Sequence, residues 1–370
     1  MARRLPRGVW PAAAVAIAAA AAGVAVSASG GAEAPSTYVV RSLVSDQPRK
    51  AAVHDPALVN PFGLAASPTG PWWTANEARS TSTLYAATGA KQALTVAVDG
   101  GPTGVAFNGG RGFVVRANGA SGPARFIYAG EDGMIRGWSP SVPTGWSTKA
   151  VVAVDAAGQG AVFRGLALAT LPSGAERLYA ADFHNGKVLV FDARWHRIER
   201  RGAFADPAIP EWYAPYNLVA VGNRLFVTFA SPAPVNGNDA PKGGYVDEFD
   251  LDGKLVARVA HRGPLNAPWG LALAPRGFGE YGGDLLVGNF GDGHINAFTR
   301  DARGRWAYSG TLRDRARKPL VINGLWGLAF GNGGMAGPAK TLFFTAGPHV
   351  WRDETEQSVH GRLGSITPVG

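Results

Sequence analysis

The heptapeptide Asn266-Ala267-Pro268-Trp269-Gly270-Leu271-Ala272 returns in altered form as Asn323-Gly324-Leu325-Trp326-Gly327-Leu328-Ala329, and shorter copies surround the glycines at 63, 104 and 165. A degenerate copy stands at Pro215-Tyr216-Asn217-Leu218-Val219. The six copies lie between positions 63 and 327, so their mean period is 264/5, or about 53 residues. A repeat of roughly this length that is built from short strands is typical of a β-propeller, in which each repeat forms one blade.

Within each repeat, the glycine step is followed by a second apolar strand, a turn with glycine and a third, alternating strand. Asn185-Gly186 and Asp292-Gly293 are hairpin signals, because glycine accepts the positive φ that tight turns require. These patterns predict an all-β fold, a six-bladed β-propeller of four-stranded antiparallel sheets. The strand-like segment 37–43 has no hairpin partner nearby. We therefore expect this N-terminal strand to complete the last blade beside residues 363–366 and close the ring.

The first 28 residues have the pattern of a signal peptide. Three arginines precede an alanine-rich apolar run, and Val26-Ser27-Ala28 places small residues at a cleavage position. The sequence thus predicts a signal peptide at 1–28, a disordered linker at 29–36 and the propeller at 37–370. An uncleaved anchor and twin-arginine export are the alternatives. Export predicts a secreted or extracytoplasmic protein of the bacterial cell envelope, with no membrane span after cleavage.

Composition and charge limit the classes of function. The chain has no cysteine, which excludes a disulfide framework and a thiolate metal site. Its net charge is +9, and the excess of basic residues collects at 194–201 and 300–318. Such segments attract polyanions, but neither has aromatic residues spaced for base stacking, and solvated loops between blades are the alternative. We expect a monomer with no nucleic-acid partner.

A resemblance to known proteins lies in residues 178–191 and 268–272, which look like NHL-type repeats. It extends over about residues 37–367 and implies a six-bladed propeller of the gluconolactonase and TolB-like superfamily. More narrowly, residues 265–275 together with 283–293 resemble an exported bacterial propeller family without an assigned activity.

The gluconolactonase-like proteins hold a divalent cation on the axis with a Glu, an Asn and an Asp placed just before inner strands. The matching places in this chain are Asn60, Asn266 and Asn323, all neutral. Calcium prefers several oxygen ligands with carboxylates among them, and the acids expected nearest the axis are Asp182 and either Glu131 or Asp132. If a divalent cation such as Ca²⁺ binds there, we expect Asp182, Asn60, Asn266 and Asn323 to hold it.

Asparagines recur at two equivalent points of the repeat, and propeller symmetry would bring them to one end of the axis. Such a ring of amides suits a polar ligand, but asparagine at a turn or strand end also bonds its own backbone. Two tryptophans beside the repeated glycine either pack between blades or form the floor of the funnel. The candidate ligand-binding residues are Asn60, Asn76, Asp182, Asn266, Trp269, Asn289, Asn323 and Trp326.

The chain has no Gly-x-Ser-x-Gly elbow, His-Glu-x-x-His motif or P-loop. We therefore expect a binding or interaction module whose axial funnel takes a small polar ligand or an extracytoplasmic protein, bordered by insertions at 231–243 and 349–360. The alternative is a metal-dependent, lactonase-like hydrolase or lyase with Asp182 or Glu131 as ligand or base. A third possibility is a structural protein whose funnel is filled by side chains.

Overall fold

Six small β-sheets surround one axis in a computed structural model, which describes residues 36–231, 243–352 and 355–369. The predicted six-bladed, all-β propeller is confirmed. The predicted signal peptide and all but the last residue of the predicted linker lie outside the described residues. The described part has three short 3₁₀ turns and no helix long and apolar enough to cross a membrane.

The chain begins its described part with β1 (Thr37–Ser45) and β2 (Val53–His54) and then forms the blades in order. Blade 1 contains β3 (Pro61–Ala66), β4 (Trp72–Asn76), β5 (Thr81–Tyr85) and β6 (Lys91–Ala97). Blade 2 contains β7 (Pro102–Phe107), β10 (Phe126–Gly130), β11 (Met134–Trp138) and β12 (Val151–Asp155), with the hairpin β8 (Val114–Ala117) and β9 (Ala120–Pro123) inserted. Blade 3 contains β13 (Phe163–Thr170), β14 (Glu176–Asp182) and β15 (Lys187–Asp192).

The second half continues the same succession. Blade 4 contains β16 (Ala214–Val221), β17 (Arg224–Ala230), β18 (Tyr245–Asp250) and β19 (Leu255–His261). Blade 5 contains β20 (Pro268–Leu273), β21 (Leu285–Asn289), β22 (Ile295–Arg300) and β23 (Trp306–Thr311). Blade 6 contains β24 (Leu325–Phe330), β25 (Leu342–Ala346) and β28 (Arg362–Val369), and the hairpin β26 (His349–Arg352) and β27 (Thr355–Val359) precedes its third strand.

The ring closes as expected, because β1 pairs antiparallel with β28 as the outer strand of blade 6. Val40 lies opposite Ile366 and Arg41 opposite Ser365. The short β2 adds a parallel fifth strand at this edge. Blade 3 has one strand fewer than the predicted four. A single bridge between Phe191 and Arg197 stands where the fourth strand would run.

The repeated glycines lie where the inner strands of neighbouring blades touch. A Cβ on Gly63 would lie 2.6 Å from the carbonyl oxygen of Thr103 in blade 2, and one on Gly104 would lie 2.5 Å from the backbone nitrogen of Leu166 in blade 3. Real Cβ atoms do not come this close to backbone. The motif therefore repeats because close approach of six strands around an axis requires a residue without a side chain. The same close contact with the next blade occurs at Gly165, Gly270 and Gly327.

The degenerate copy in blade 4 replaces this glycine by Asn217. Its buried side-chain amide donates a hydrogen bond of 2.8 Å to the backbone oxygen of Trp269 in blade 5. Blade 4 thus contacts its neighbour through a side chain at the point where the other five blades use backbone packing.

Between the blades, apolar side chains from facing sheets fill the core. At the contact of blades 1 and 2, Trp73 stacks on Phe126 with ring centroids 3.9 Å apart, and Trp138 packs against both. Neighbouring blades cover both faces of each blade in this way. This explains why the second strand of a blade is apolar along its length.

The structure describes little of the insertion at 231–243 and most of the one at 349–360. Residues 232–242 of the first lie outside the described residues. Most of the second forms the hairpin of β26 and β27, with residues 353–354 outside.

Candidate functional site

The residue directly before the repeated glycine, or before Asn217 in blade 4, points toward the axis in five of the six blades. In five blades it is large: Phe62, Arg164, Tyr216, Trp269 and Trp326. The sixth, Thr103, instead donates its hydroxyl to backbone oxygens of blades 2 and 3. Since five long side chains converge on one line, the axis at this level is filled mainly by aromatic rings.

These rings contact one another at the axis, and each stacked pair joins rings of neighbouring blades. Phe62 and Trp326 stack with centroids 3.7 Å apart, and Phe290 stacks on Trp326 at 4.0 Å. Trp269 lies edge-on to Phe62 and Trp326, at 6.1 and 5.8 Å. Edge-on aromatic pairs at such separations are favourable arrangements, and the rings together form a packed aromatic platform.

A second ring of residues comes from the ends of the second strands of the blades. Glu77, Glu131, Phe183 and Phe290 each follow such a strand directly. Together with the rings they border an open cavity of about 480 Å³ at one end of the axis. Such a volume suits a small organic molecule. The lining residues are Asn60, Phe62, Glu77, Ala78, Glu131, Arg164, Phe183, Tyr216, Phe290, Trp326, His349 and Val359.

The central charge of the cavity is the guanidinium of Arg164, which forms an ion pair with Glu131 of the neighbouring blade. It also lies 5.9 Å from the ring centroids of Phe62 and of Phe183. Its Nε atom is buried and has no hydrogen-bond partner among the described residues. Arg164 thus has polar and aromatic partners and keeps one donor unsatisfied.

Glu131 is the acid with a perturbed pKa in this cavity. Burial raises its pKa above the ordinary value for glutamate; the Arg164 guanidinium opposes this rise, and the negative charge of Glu77 adds to it. A carboxyl shifted in this direction holds its proton to higher pH than usual, a property that general acids and bases share.

Asn60 connects the platform to the rim. Its carboxamide oxygen accepts a hydrogen bond of 3.0 Å from the indole N–H of Trp326, and its amide donates one of 2.8 Å to Glu77. The backbone at Asn60 is left-handed, with φ of 46°. Asparagine tolerates this conformation better than most residues, so residue 60 suits both the turn and the two hydrogen bonds.

Beyond the aromatic platform the axis narrows to a waist. The space there is about 70 Å³ and is lined by the inner-strand glycines, leucines and valines together with Asn217 and Trp269. The site is therefore a cup with an aromatic floor.

Of the predicted site residues, Asn60 and Trp326 line the cavity, and Trp269 lies at the narrow waist. Asn266 and Asn323 are outside the cavity lining, in the loops before their inner strands, and Asn323 is exposed. The structure does not gather the predicted asparagines into one ring.

Three further candidates, Asn76, Asn289 and Asp182, are buried in their own blades. Asn76 bonds to Thr74, Thr81 and Thr83 of blade 1, and the amide of Asn289 donates to Pro264 and Asp292 of blade 5.

Asp182 accepts hydrogen bonds from the backbone of Val162 and Asn185 and from the Asn185 side chain. Its carboxylate, like the amides of Asn76 and Asn289, thus serves its own blade.

The cavity uses the residue that follows each of these three positions. Successive residues in a strand point to opposite faces, so Asn76, Asp182 and Asn289 face the blade, whereas Glu77, Phe183 and Phe290 face the axis. Arg164, the one charged residue before a repeated glycine, was also not among the predicted site residues. The signal was available, because aligning the copies puts Arg164 in the column of Phe62, Trp269 and Trp326.

Metal binding stays a prediction. Asp182 has both carboxylate oxygens engaged, and the carboxamide oxygen of Asn60 accepts from Trp326. Among the residues that the structure describes, no three His, Asp or Glu side chains lie grouped as a metal centre. The set Asp182, Asn60, Asn266 and Asn323 therefore fits a shared cation poorly.

Comparisons with known proteins identify relatives that align with most of this chain. No protein-family model matches the chain. It is 35% identical over 354 residues to the uncharacterised protein R648 of Acanthamoeba polyphaga mimivirus, covering 91% of this chain and 82% of that protein. For the uncharacterised mimivirus protein L690 the identity is 35% over 315 residues, covering 81% and 80%. The chain belongs to the family of these mimivirus proteins. The expected bacterial secreted family stays a prediction.

Solved structures agree with the fold. A protein of unknown function from Bacteroides thetaiotaomicron matches with a TM-score of 0.53 and 10% identity, covering 90% of this chain and 76% of that one. A luciferin-regenerating enzyme matches with a TM-score of 0.50 and 14% identity, covering 90% and 96%. At this identity the likeness supports the propeller fold alone.

Proposed function

We propose that this protein is a binding module that takes a small organic ligand in its axial cavity. The observation that carries the proposal is the combination of an aromatic floor with a few charged groups in a cup of about 480 Å³. Ligand sites are typically concave, largely apolar and provided with a small number of oriented polar groups.

The aromatic floor would bind a ring or hydrocarbon face, and Glu77, Glu131 and Arg164 would orient the polar part. The aromatic stack and the Asn60 hydrogen bonds hold the floor in place before a ligand arrives. Preorganisation of this kind lowers the entropic cost of binding.

Two variants test the proposal. Ala78 is exposed at the rim, so Ala78→Trp would fill the cavity, whereas Ala208→Trp adds the same side chain at an exposed position after blade 3. Ligand-observed NMR with a library of small neutral, cationic and anionic compounds should give hits for the wild type and Ala208→Trp, and lose them for Ala78→Trp. Hits that survive in Ala78→Trp would place binding elsewhere and refute the proposal.

The second candidate is a lactonase-like hydrolase or lyase, and the raised pKa of Glu131 favours it. In that case Glu131 would transfer a proton to or from a bound substrate. Screening of lactones with the wild type and Glu131→Gln, before and after chelation of divalent cations, tests this reading. Turnover that Glu131→Gln retains in full would count against it.

Location and assembly complete the proposal. The signal-peptide pattern at 1–28 supports export, and we infer that the mature protein acts outside the cytoplasm as a monomer. N-terminal sequencing of the protein from culture medium and cell fractions, with light scattering for its mass, tests both statements.

A further inference from the structure

Glu77 is a carboxylate at the cavity that no cation of the described residues neutralises. Among the described residues, its one side-chain partner is the amide of Asn60, at 2.8 Å. Glu131, by contrast, is paired with Arg164. With both acids ionised, the three charged groups Glu77, Glu131 and Arg164 sum to −1, although the chain as a whole carries +9.

This negative charge stands beside a cavity with aromatic walls, in which Phe183 and Phe290 are the partly exposed rings. Trp326, Phe290, Phe62 and Tyr216 all line the same cavity. The faces of aromatic rings attract cations, by about 0.5–2 kcal/mol depending on how far water is excluded. An aromatic surface with an unpaired carboxylate at its edge provides both partners that an organic cation requires.

The protein itself shows that the cavity accommodates a cation. The guanidinium of Arg164 lies at 5.9 Å from two ring centroids and pairs with an acid, Glu131. Glu77 lines the same cavity, but no ion pair joins it to a cation in the described part of the chain.

We propose that the axial cavity selects a small organic cation, a protonated amine or a quaternary ammonium group on a hydrocarbon or aromatic body, whose charge pairs with Glu77. This inference rests on the function proposed above and specifies its ligand class. An anionic ligand is disfavoured, because Glu77 would repel it and Arg164 already pairs with Glu131. The one Arg164 donor without a partner among the described residues, Nε, is buried.

Three soluble probes of matched size separate the possibilities: benzylammonium, benzyl alcohol and benzoate. Calorimetric titration at low ionic strength should give a dissociation constant for benzylammonium about tenfold lower than for benzyl alcohol, and weaker binding still for benzoate. Added salt should reduce the advantage of the cation, because the charge pair is partly open to solvent.

Glu77→Gln keeps the size of the side chain and an oxygen for Asn60 but removes the charge. In this variant benzylammonium should bind no better than benzyl alcohol. Glu211→Gln removes an exposed glutamate in the loop after blade 3 and should leave the preference unchanged. Circular dichroism of both variants verifies the fold.

The outcomes distinguish the two proposals. Equal binding of all three probes, lost in Ala78→Trp, would overturn the selection of cations while the cavity remains a binding site. Stronger binding of benzoate, or a cation preference that survives Glu77→Gln, would overturn it as well. Absence of binding for every probe and for every member of the compound library would overturn the proposed function itself.

Discussion

The waist and the cup lie on the same axis but are built in opposite ways. The waist repeats one residue, because glycine stands at the equivalent place in five blades and each packs against the next inner strand. The cup repeats a position but varies the residue, with phenylalanine, arginine, tyrosine and tryptophan in the preceding column. Repetition thus builds the ring, and departures from repetition build the site.

The largest effect that tests this difference is expected at the waist. A Cβ on Gly104 would meet Leu166 and Gly165 within 3.0 Å, so Gly104→Ala should lower the free energy of unfolding by about 1–3 kcal/mol. Gly158→Ala is the matched control, since nothing lies within 4 Å of its Cβ, and it should be neutral or slightly stabilising. Urea unfolding measures both. Equal stability of the two variants would contradict the close packing of the inner strands.

A smaller effect is expected where blade 4 breaks the repetition. Asn217→Gly restores the motif of the other blades but leaves the oxygen of Trp269 without its donor, at a cost of about 1–2 kcal/mol beyond that of a plain glycine substitution. Asn223→Gly, in an exposed turn of the same blade, supplies that reference. If Asn217→Gly proved as stable as Asn223→Gly, the side chain would not be needed between blades 4 and 5.

The smallest effect is expected for a residue of the cup, Glu131, and it is a change in how the stability of the protein depends on pH. Because the pKa of Glu131 is raised in the folded protein, its contribution to stability is full below the ordinary pKa of glutamate. That contribution is lost as pH rises through the raised value. Compared with the wild type, Glu131→Gln should therefore gain stability as pH increases from about 4 to 8.

Unfolding midpoints across this range, with Glu211→Gln as the exposed reference, provide the measurement. Burial raises the pKa of Asp247 to about 7, but this group titrates in all three proteins and cancels from the differences. A constant difference between wild type and Glu131→Gln would show that the carboxyl titrates normally.

Most of the fold was readable from the chain because its signals are local and repeated. The glycine step marked five of the six inner strands, and the Asn-Gly and Asp-Gly turns marked hairpins. Even the long-range closure of β1 on β28 followed, since a strand without a local partner at one terminus needs a partner elsewhere. The missing outer strand of blade 3 was not foreseen, because outer strands are the most variable part of the repeat.

Fewer of the site residues could be predicted from the sequence, and the wrong choices had one cause. The polar residues at the ends of the second strands were predicted to bind the ligand. A shift of one residue along a strand, however, moves a side chain from the axis to the interior of the blade. Asp182 and Asn289 therefore serve the turns that follow them, whereas Phe183 and Phe290 reach the cavity.

The sequence alone determined the number of blades, their strand order and the need for glycine at their inner contacts, because these follow from periodicity and from the steric demand of a crowded axis. Only the tertiary structure decided which side chains meet. Arg164 pairs with Glu131 across two blades, and Asn60 joins Trp326 from opposite ends of the chain. Such contacts depend on side-chain direction and on how unequal rings fill a shared space, and no repeat in the sequence encodes either.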